Sequence, residues 1–203
     1  MKNALLVIDV QQIYTTKKSP MFCQDADKTV RGINQLVNLF DSRREPIVLI
    51  RHIHKLDGSD LGRMFDFAGP AEDFNFKAGS KEINFSTALN RPPGALELVK
   101  TRYSAFVGTD LDRKLRGMGV GRVVICGFMT NFCCDSTARD AHDLDYFVDF
   151  IVDATGTPGI ARMKQAQIRD AVGAFLAEGY AEVHATKDYL KKLSALPCPS
   201  PKP

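Results

Sequence analysis

Apolar residues fall along the chain in short, nearly continuous runs of strand length. The four clearest runs cover 4–10, 47–53, 123–127 and 146–152. A broader run lies near the carboxyl terminus at 180–185, and a weaker one lies in mid-chain at 96–100. A continuous apolar run, rather than an alternating one, is typical of a strand that is covered on both faces of a parallel sheet. We therefore predict a buried strand at each of these positions.

Segments with helical spacing separate the runs. Apolar residues recur there at three- and four-residue steps, as in Val30, Ile33, Val37 and Phe40, in Leu111, Leu115 and Met118, and in Ile168, Val172 and Phe175. Either Thr109 or Asp110 is expected to cap the second of these helices. Strands that alternate with helices are joined by right-handed crossovers into a parallel sheet. The pattern therefore predicts a three-layer α/β/α fold of the Rossmann-like type with a mainly parallel sheet.

Residues 54–93 interrupt this alternation. The segment is rich in Gly, Asp, Asn and Phe and has no long period, so we expect an insertion over the edge of the sheet. Two interpretations stay open: a lid over the site, or a contact between subunits to which Phe65, Phe67, Phe74 and Phe76 add apolar surface. The chain from 1 to 194 is otherwise predicted to form one domain, followed by a flexible tail at 195–203 that contains four prolines.

Composition narrows the function classes. The 203 residues carry a net charge of +3, from 27 basic and 24 acidic side chains, and the basic residues are scattered, which argues against a nucleic-acid surface. No apolar run approaches the roughly 20 residues of a membrane span, and the first run is too short for a signal peptide. The five cysteines form no Cys-x-x-Cys pair, so neither a disulfide framework nor a structural zinc site is expected. We expect a cytoplasmic protein.

Two charged residues end predicted strands. Ligands of open α/β sheets bind outside the carboxyl ends of the strands, so residues at those ends are candidates for chemistry. Asp9 ends the first run and is either a general base whose pKa is raised by burial or a residue that caps a turn. Lys100 ends the 96–100 run. A lysine there is more often solvated, and it becomes a candidate only if Asp9 and a nucleophile converge on it.

Cys133 is the candidate nucleophile. The strand at 123–127 runs into Gly127, and Thr130 and Asn131 mark the start of a helix. A thiol in the first turn of a helix lies near unpaired N–H groups, so the pKa of Cys133 is expected to fall below its ordinary value of about 8.5. The same N–H groups can stabilise an oxyanion. The alternative is a small buried hydrophobe, which we adopt for Cys23, Cys126, Cys134 and Cys198.

Three segments of the chain together form a recognisable pattern. They are Leu-Leu-Val-Ile-Asp-Val-Gln at 5–11, Lys-Thr-Arg-Tyr-Ser-Ala-Phe at 100–106 and Gly-Phe-Met-Thr-Asn-Phe-Cys at 127–133. In this order they resemble the isochorismatase-like, or cysteine hydrolase, superfamily, and the likeness spans nearly the whole chain. The resemblance implies a hydrolase of small molecules that needs no cofactor and that associates into dimers or tetramers.

The resemblance also implies roles for individual residues. Asp9 corresponds to the general base, Lys100 to the residue that orients and polarises, and Cys133 to the nucleophile. The family has a non-proline cis peptide that falls at Phe128–Met129 here, and it would direct the backbone N–H groups of Met129 and Cys133 at the oxyanion. The substrate pocket is expected to include Gln11, Tyr103, Phe106 and Phe132, although the three aromatic residues are equally well explained as core.

The chain departs from two groups of relatives. Nicotinamidases carry an Asp-x-His metal motif and a later His, whereas the matching triplet here is His52-Ile53-His54 with no His between 55 and 99. His52 and His54 share a face, so metal binding by the pair stays an open alternative. We nevertheless expect no metal and interpret both as polar residues that line or flank the pocket. Isochorismatases, which cleave a vinyl ether, typically have a small residue in place of the cysteine. Cys133 therefore favours cleavage of an amide or ureido-type C–N bond through a thioester.

Other function classes stay open beside this one. Vinyl-ether hydrolysis is the first alternative. A non-catalytic binding module for small molecules is the second, since a fold alone proves no function, although all three catalytic residue types are present. A dehydrogenase is disfavoured because the first strand is followed by Val-Gln-Gln-Ile at 10–13 and not by G-x-G-x-x-G.

Overall fold

The computed structural model describes residues 1–64, 74–160 and 162–197. Its helices and strands are, in chain order, β1 (Lys2–Ile8), α1 (Gln12–Thr15), α2 (Ala26–Ser42), β2 (Ile47–His52), β3 (Leu96–Lys100), α3 (Leu111–Gly117), β4 (Val120–Phe128), α4 (Asp135–Asp143), β5 (Phe147–Gly156), α5 (Gln165–Gly179), β6 (Glu182–His184) and α6 (Thr186–Ser194). A 3₁₀ turn at Lys81–Ile83 and a π-helical turn at Thr130–Cys134 lie between them. Each predicted strand is present, but the two strands at the edges of the sheet are not buried as predicted: Leu96 and Val99 of β3 are 37% and 47% exposed, and β6 is only partly buried.

The strands form one parallel sheet in the order β3-β2-β1-β4-β5-β6. Alternate residues of β1 face opposite sides: Leu5 and Val7 join one apolar cluster, and Leu6 and Ile8 join the other. Both faces are therefore covered, which explains the continuous apolar runs in the sequence. The predicted α/β/α fold with a parallel sheet is confirmed.

Helices cover the two faces unequally. On one face, α2 and α6 pack together and against the sheet, and on the other face lie α3, α4 and α5.

The periodicity of α5 differs from the prediction: Phe175 is 65% exposed, and the buried stripe runs through Ile168, Val172 and Leu176. A four-residue step from Val172 keeps the stripe on the sheet-facing side of the helix, whereas Phe175 turns to the outer edge.

The start of α3 uses both predicted capping residues. Asp110 occupies the N-cap position, but its side chain makes no capping hydrogen bond. The hydroxyl of Thr109 instead accepts a hydrogen bond from the backbone N–H of Leu111 at 3.2 Å. The sequence pattern therefore located the helix start, and the neighbouring threonine supplies the acceptor.

The described part of the 54–93 segment lies against the carboxyl ends of β1 and β2. Backbone bridges join Gln11 to Phe85 and His54 to Lys77. Phe74 and Phe76 are buried within the chain, so the expectation that these two rings add exposed contact surface is wrong. They complete the core beside the sheet instead. Phe65 and Phe67, for which the same role was expected, lie outside the described residues.

The start of the predicted tail makes defined contacts. The guanidinium of Arg43 donates hydrogen bonds to the carbonyls of Leu196 and Pro197, each at 3.0 Å. Residues 198–203, with Cys198, lie outside the described residues. Within the described ranges, no helix combines the length and the apolar character needed to cross a membrane.

Gly127 is the point of closest approach between β4 and β1. Its φ of 124° lies in a region that only glycine adopts without strain, and an added Cβ would lie 1.9 Å from the carbonyl oxygen of Ile8. Ile8 precedes Asp9, and Gly127 begins the segment that leads to Cys133. The glycine therefore sets the distance between two chain segments that carry candidate residues.

We expect Gly127→Ala to lower the free energy of unfolding by about 3 kcal/mol or more, because the methyl group meets backbone that has no room to move. Gly117→Ala is the matched control, since nothing lies within 4 Å of its added Cβ. The control is expected to change stability by no more than about 1 kcal/mol, in the stabilising direction. Urea denaturation followed by circular dichroism measures both. Equal losses in the two variants would contradict the assignment.

Candidate active site

Three chain segments bring Asp9, Lys100 and Cys133 together at the carboxyl edge of the sheet. Asp9 follows β1 in a left-handed conformation with φ of 49°, and its N–H donates to the carbonyl of Ile50 on β2 at 2.9 Å. Lys100 is the last residue of β3, and Cys133 lies in the π-helical turn after β4. Parallel strands end at one edge, so residues far apart in sequence meet there.

The side chains of this trio are in mutual contact and buried. The Nζ of Lys100 lies 2.8 Å from Oδ2 of Asp9 and 3.2 Å from Sγ of Cys133. A carboxylate oxygen of Asp9 and the sulfur lie within 4.8 Å of each other. No backbone N–H among the described residues donates to the Asp9 carboxylate. Its charge therefore depends on the ammonium group of Lys100.

The turn that carries Cys133 is held by its neighbours. The peptide bond between Phe128 and Met129 is cis, as the resemblance implied. The carbonyl of Met129 accepts hydrogen bonds from the N–H groups of Phe132 and Cys134 at 3.2 and 3.1 Å. The hydroxyl of Thr137 donates to the carbonyl of Cys133 at 2.6 Å. Cys133 therefore lies in the π-helical turn that leads directly into α4, and its backbone is fixed from both sides.

Burial and charge act in opposite directions on the first two members of the trio. Burial raises the pKa of Asp9, and the neighbouring Lys100 offsets only part of the rise. For Lys100, burial lowers the pKa, but the charges of Asp9 and Cys133 outweigh it, so that the net shift is upward. The pair therefore combines a more basic carboxylate with a lysine that stays an ammonium ion.

The expectation of a lowered pKa for Cys133 is wrong in this arrangement. Burial raises the pKa of the thiol to about 12, which is more than the Lys100 ammonium lowers it. Cys133 is only 3% exposed, so removal from water outweighs the position near a helix start. Cys133 is therefore a thiol at neutral pH, and it needs a base to become a nucleophile.

The four expected pocket residues have different environments. Gln11 is buried, and its amide is used by backbone groups: it accepts from the N–H of His52 and donates to the carbonyls of His52 and Ile83. It therefore joins β1, β2 and the 3₁₀ turn instead of facing a pocket. The ring of Phe106 stacks on Tyr146 at 5.9 Å, which is a core contact beside α3.

The other two expected pocket residues lie together. The rings of Tyr103 and Phe132 are 5.1 Å apart, and both are partly buried. Burial, and next the charge of Cys133, raise the pKa of the Tyr103 phenol, which places this ring near the sulfur. Five cavities of 270–520 Å³ on the described part of the chain are lined by other residues. Asp9, Lys100 and Cys133 are 0%, 1% and 3% exposed, so the trio is enclosed in this structure.

Sequence reasoning overlooked Tyr14. Its buried ring stacks on Phe128 at 5.3 Å, directly before the cis peptide. Burial, followed by the charges of Cys133 and Asp9, raises the pKa of its phenol. Tyr14 lies on α1, the short helix after β1. The rule that points to the carboxyl ends of strands could therefore have included it.

The two histidines that match the nicotinamidase metal motif do not share a three-ligand group among the described residues, but His52 lies with Asp9 and Cys133 in a group whose ligand atoms are all within 4.8 Å of one another. The Nε2 atoms of His52 and His54 are 2.9 Å apart, but no third His, Cys, Asp or Glu joins the pair at ligand distance in 1–64, 74–160 and 162–197. The Lys100 ammonium lies 3.4 Å from the other ring nitrogen of His52 and would repel a cation. The described contact between these two rings is a hydrogen bond, and the expected absence of a metal stays a prediction.

A parallel sheet of this order, with a carboxylate, a lysine and a cysteine at its carboxyl edge, matches the class of cysteine hydrolases that the three sequence segments resemble. The model of the isochorismatase domain matches residues 3–182. The chain therefore belongs to the isochorismatase family, and it is a hydrolase.

Similar proteins support this placement. The ureidoacrylate amidohydrolase of Variovorax paradoxus (strain S110) is 42% identical over 90 residues, which cover 44% of this chain but only 36% of that protein. Nicotinamidase 3 of Arabidopsis thaliana is 32% identical over 158 residues, with 76% of this chain and 73% of that one covered. A cysteine hydrolase from Pseudomonas syringae pv. phaseolicola 1448A has the same fold, with a TM-score of 0.88 and 25% identity over 96% of this chain and 93% of that one.

We expect alkylation of Cys133 by iodoacetamide to accelerate with pH through the ordinary cysteine pKa of about 8.5 without levelling off, because the raised pKa keeps the thiolate scarce. Peptide mass spectrometry follows the modification of Cys133, with glutathione in the same solution as the unperturbed thiol. A rate that is already constant at neutral pH would mean a thiolate in the resting protein and would contradict the raised pKa.

Proposed function

We propose that the protein hydrolyses the C–N bond of a small amide or ureido compound through a thioester on Cys133. The observation that carries the proposal is the buried contact of Lys100 with both Asp9 and Cys133, at 2.8 and 3.2 Å. A carboxylate, an ammonium and a thiol are seldom buried together without a chemical use, because burial of the charges is costly.

In the first step, Asp9 takes the proton from the Cys133 thiol while the sulfur attacks the carbonyl carbon. General-base assistance is required because the thiol holds its proton at neutral pH, and the raised pKa of Asp9 makes its carboxylate a stronger base. The C–N bond then breaks, and the proton on Asp9 passes to the leaving amine. The products are a free amine and an acylated Cys133, which is a thioester from an amide and an S-carbamoyl group from a ureido compound.

In the second step, water hydrolyses the thioester. Asp9 is again the base: it takes a proton from the water, whose oxygen attacks the thioester carbon, and the C–S bond breaks. The proton held by Asp9 passes to the sulfur, and the carboxylic acid, or the carbamic acid from a ureido compound, leaves. Lys100 keeps the Asp9 carboxylate ionised and oriented in both steps. The backbone N–H groups of Met129 and Cys133 are assigned to the oxyanion of each tetrahedral intermediate.

The relatives favour this bond over the vinyl ether. The names of the two similar enzymes describe hydrolysis of a ureido compound and of nicotinamide, both at C–N bonds. Cys133 supports the same choice, since ether cleavage does not need a thiol nucleophile. Substrate entry requires displacement of the side chains that enclose the sulfur, because Cys133 is almost fully buried.

We expect a screen of small amides and ureido compounds to identify a substrate for the wild type that Cys133→Ala does not turn over, because the nucleophile is lost. Asp9→Asn should lower kcat by about 10²–10⁴-fold, the usual contribution of a general base. Cys23→Ala is the matched control, since this buried thiol lies outside the trio and should leave activity unchanged. Intact mass spectrometry should detect an acyl adduct on Cys133.

Three results would overturn the proposal. Turnover of an amide that survives in Cys133→Ala would exclude the thioester. Turnover of a vinyl ether with no adduct on the protein would favour the isochorismatase reaction instead. If the wild type turns over none of the amides, ureido compounds or vinyl ethers but binds one of these compounds tightly, a binding module would be favoured.

A further inference from the structure

A line of polar side chains leads from Lys100 away from the trio. The Nζ of Lys100 lies 3.4 Å from Nδ1 of His52, and Nε2 of His52 lies 2.9 Å from Nε2 of His54. Nδ1 of His54 then lies 3.3 Å from Oδ1 of Asp60, which is partly exposed. The geometry is imposed by the sheet, because His52 and Lys100 are register partners at the ends of β2 and β3.

The direction of each hydrogen bond in this line follows from Lys100. An ammonium group can only donate, so Nδ1 of His52 accepts and its Nε2 carries the hydrogen. That hydrogen is donated to Nε2 of His54, whose Nδ1–H then faces the carboxylate of Asp60. Both rings are neutral in this arrangement. Burial lowers the pKa of His52 well below its ordinary value and also lowers that of His54, which agrees with two neutral rings.

The ring of His52 is fixed in place. Phe76 stacks on it with centroids 4.6 Å apart and planes at 9°. The backbone of His52 is held by the buried amide of Gln11 through both its N–H and its carbonyl. His52 is therefore a rigid acceptor beside Lys100, and small movements of the lysine decide whether the contact is used.

Lys100 has more acceptors than hydrogens. Its three N–H groups face four acceptors: Oδ2 of Asp9 at 2.8 Å, the carbonyl of Arg102 at 3.0 Å, Sγ of Cys133 at 3.2 Å and Nδ1 of His52 at 3.4 Å. One contact is therefore always unsatisfied, and the longest, to His52, is the weakest in the resting protein. The sulfur is the best acceptor while Asp9 removes its proton, and it becomes a poorer acceptor once it has formed a thioester, so the balance changes during the reaction.

We propose that His52 is a positioning residue that accepts the Lys100 hydrogen released by the sulfur when Cys133 is acylated, with His54 and Asp60 holding its tautomer. This inference rests on the proposed function and deepens it. No bond of the lysine breaks: one N–H turns from sulfur to nitrogen. The ammonium then stays between Asp9 and the thioester while water is activated, so the effect falls on deacylation more than on acylation.

The test compares His52→Asn with His52→Gln, using p-nitrophenyl acetate as the probe. Asn places its amide oxygen where Nδ1 lies and keeps an acceptor for Lys100, whereas Gln places its amide towards His54 and loses that acceptor. Both variants are polar and of similar size, so a general loss of packing affects them alike. The burst of p-nitrophenolate reports acylation, the steady rate reports deacylation, and intact mass spectrometry reports the acetyl group on Cys133.

We expect His52→Gln to slow deacylation by about tenfold and to accumulate acetyl-Cys133, with little change in the burst rate, because one hydrogen bond to a charged group is lost in that step. His52→Asn should deacylate at close to the wild-type rate. Equal rates in the two variants, or equal slowing of both steps in His52→Gln, would overturn the inference.

Two further outcomes would overturn the positioning role of His52. Loss of deacylation in the wild type on treatment with EDTA, with recovery on addition of Zn²⁺, would replace the hydrogen-bonded line with a metal site at His52 and His54. A wild type that forms no acetyl-Cys133 would overturn the proposed function, and the positioning role of His52 with it. The inference alone fails if the wild type is acylated normally but the Asn and Gln variants behave alike.

Discussion

The buried ion pair between Asp9 and Lys100 is the interaction on which the rest of the site depends. Two full charges are removed from water at the edge of the sheet, and each is tolerated only because the other lies 2.8 Å away. Cys133 is the third member, and its thiol has a raised pKa because the same burial acts on it. The dry environment therefore makes the carboxylate more basic and the thiol less acidic, so that reaction requires both groups at once.

The parallel sheet produces this pair without a local sequence relationship. Asp9 and Lys100 end strands on either side of β2, and His52 at the end of β2 lies between them in the strand order. Gly127 allows β4 to pass so close to β1 that the turn with Cys133 reaches the same point. Each of these features concerns backbone packing, and the position of the reactive groups follows from where each strand ends.

Much of the fold could be predicted from the sequence because burial on both faces leaves continuous apolar runs. Asp9 was recognisable for the same reason, since a charge at the end of such a run is unusual. Lys100 was not recognisable by itself and became a candidate only through the resemblance and its expected approach to Asp9 and Cys133. The pKa of Cys133 was not predictable: position at a helix start favours thiolate, whereas burial opposes it, and the sequence does not reveal how deeply a side chain is buried.

Other errors share this origin. Phe175 and Leu176 are adjacent in α5 and both are apolar. Only the orientation of the helix on the sheet determines that the side chain of Leu176 is buried and that of Phe175 is exposed. Gln11 follows the candidate base in sequence, but its amide serves the backbone of β2. The line through His52, His54 and Asp60 requires side-chain directions and the register of β2 and β3. The alternation of the two histidines indicated only that they share a face.

A double-mutant cycle on the free energy of unfolding tests the buried ion pair most directly, with Asp9→Asn, Lys100→Met and the two combined, each measured by urea denaturation at neutral pH. Each single change should cost about 3–5 kcal/mol, because it leaves a buried group without its partner. The combined variant should lose clearly less than the sum of the two, since no charge is then stranded. Strictly additive losses would mean that the carboxylate and the ammonium do not interact, and they would contradict the central claim.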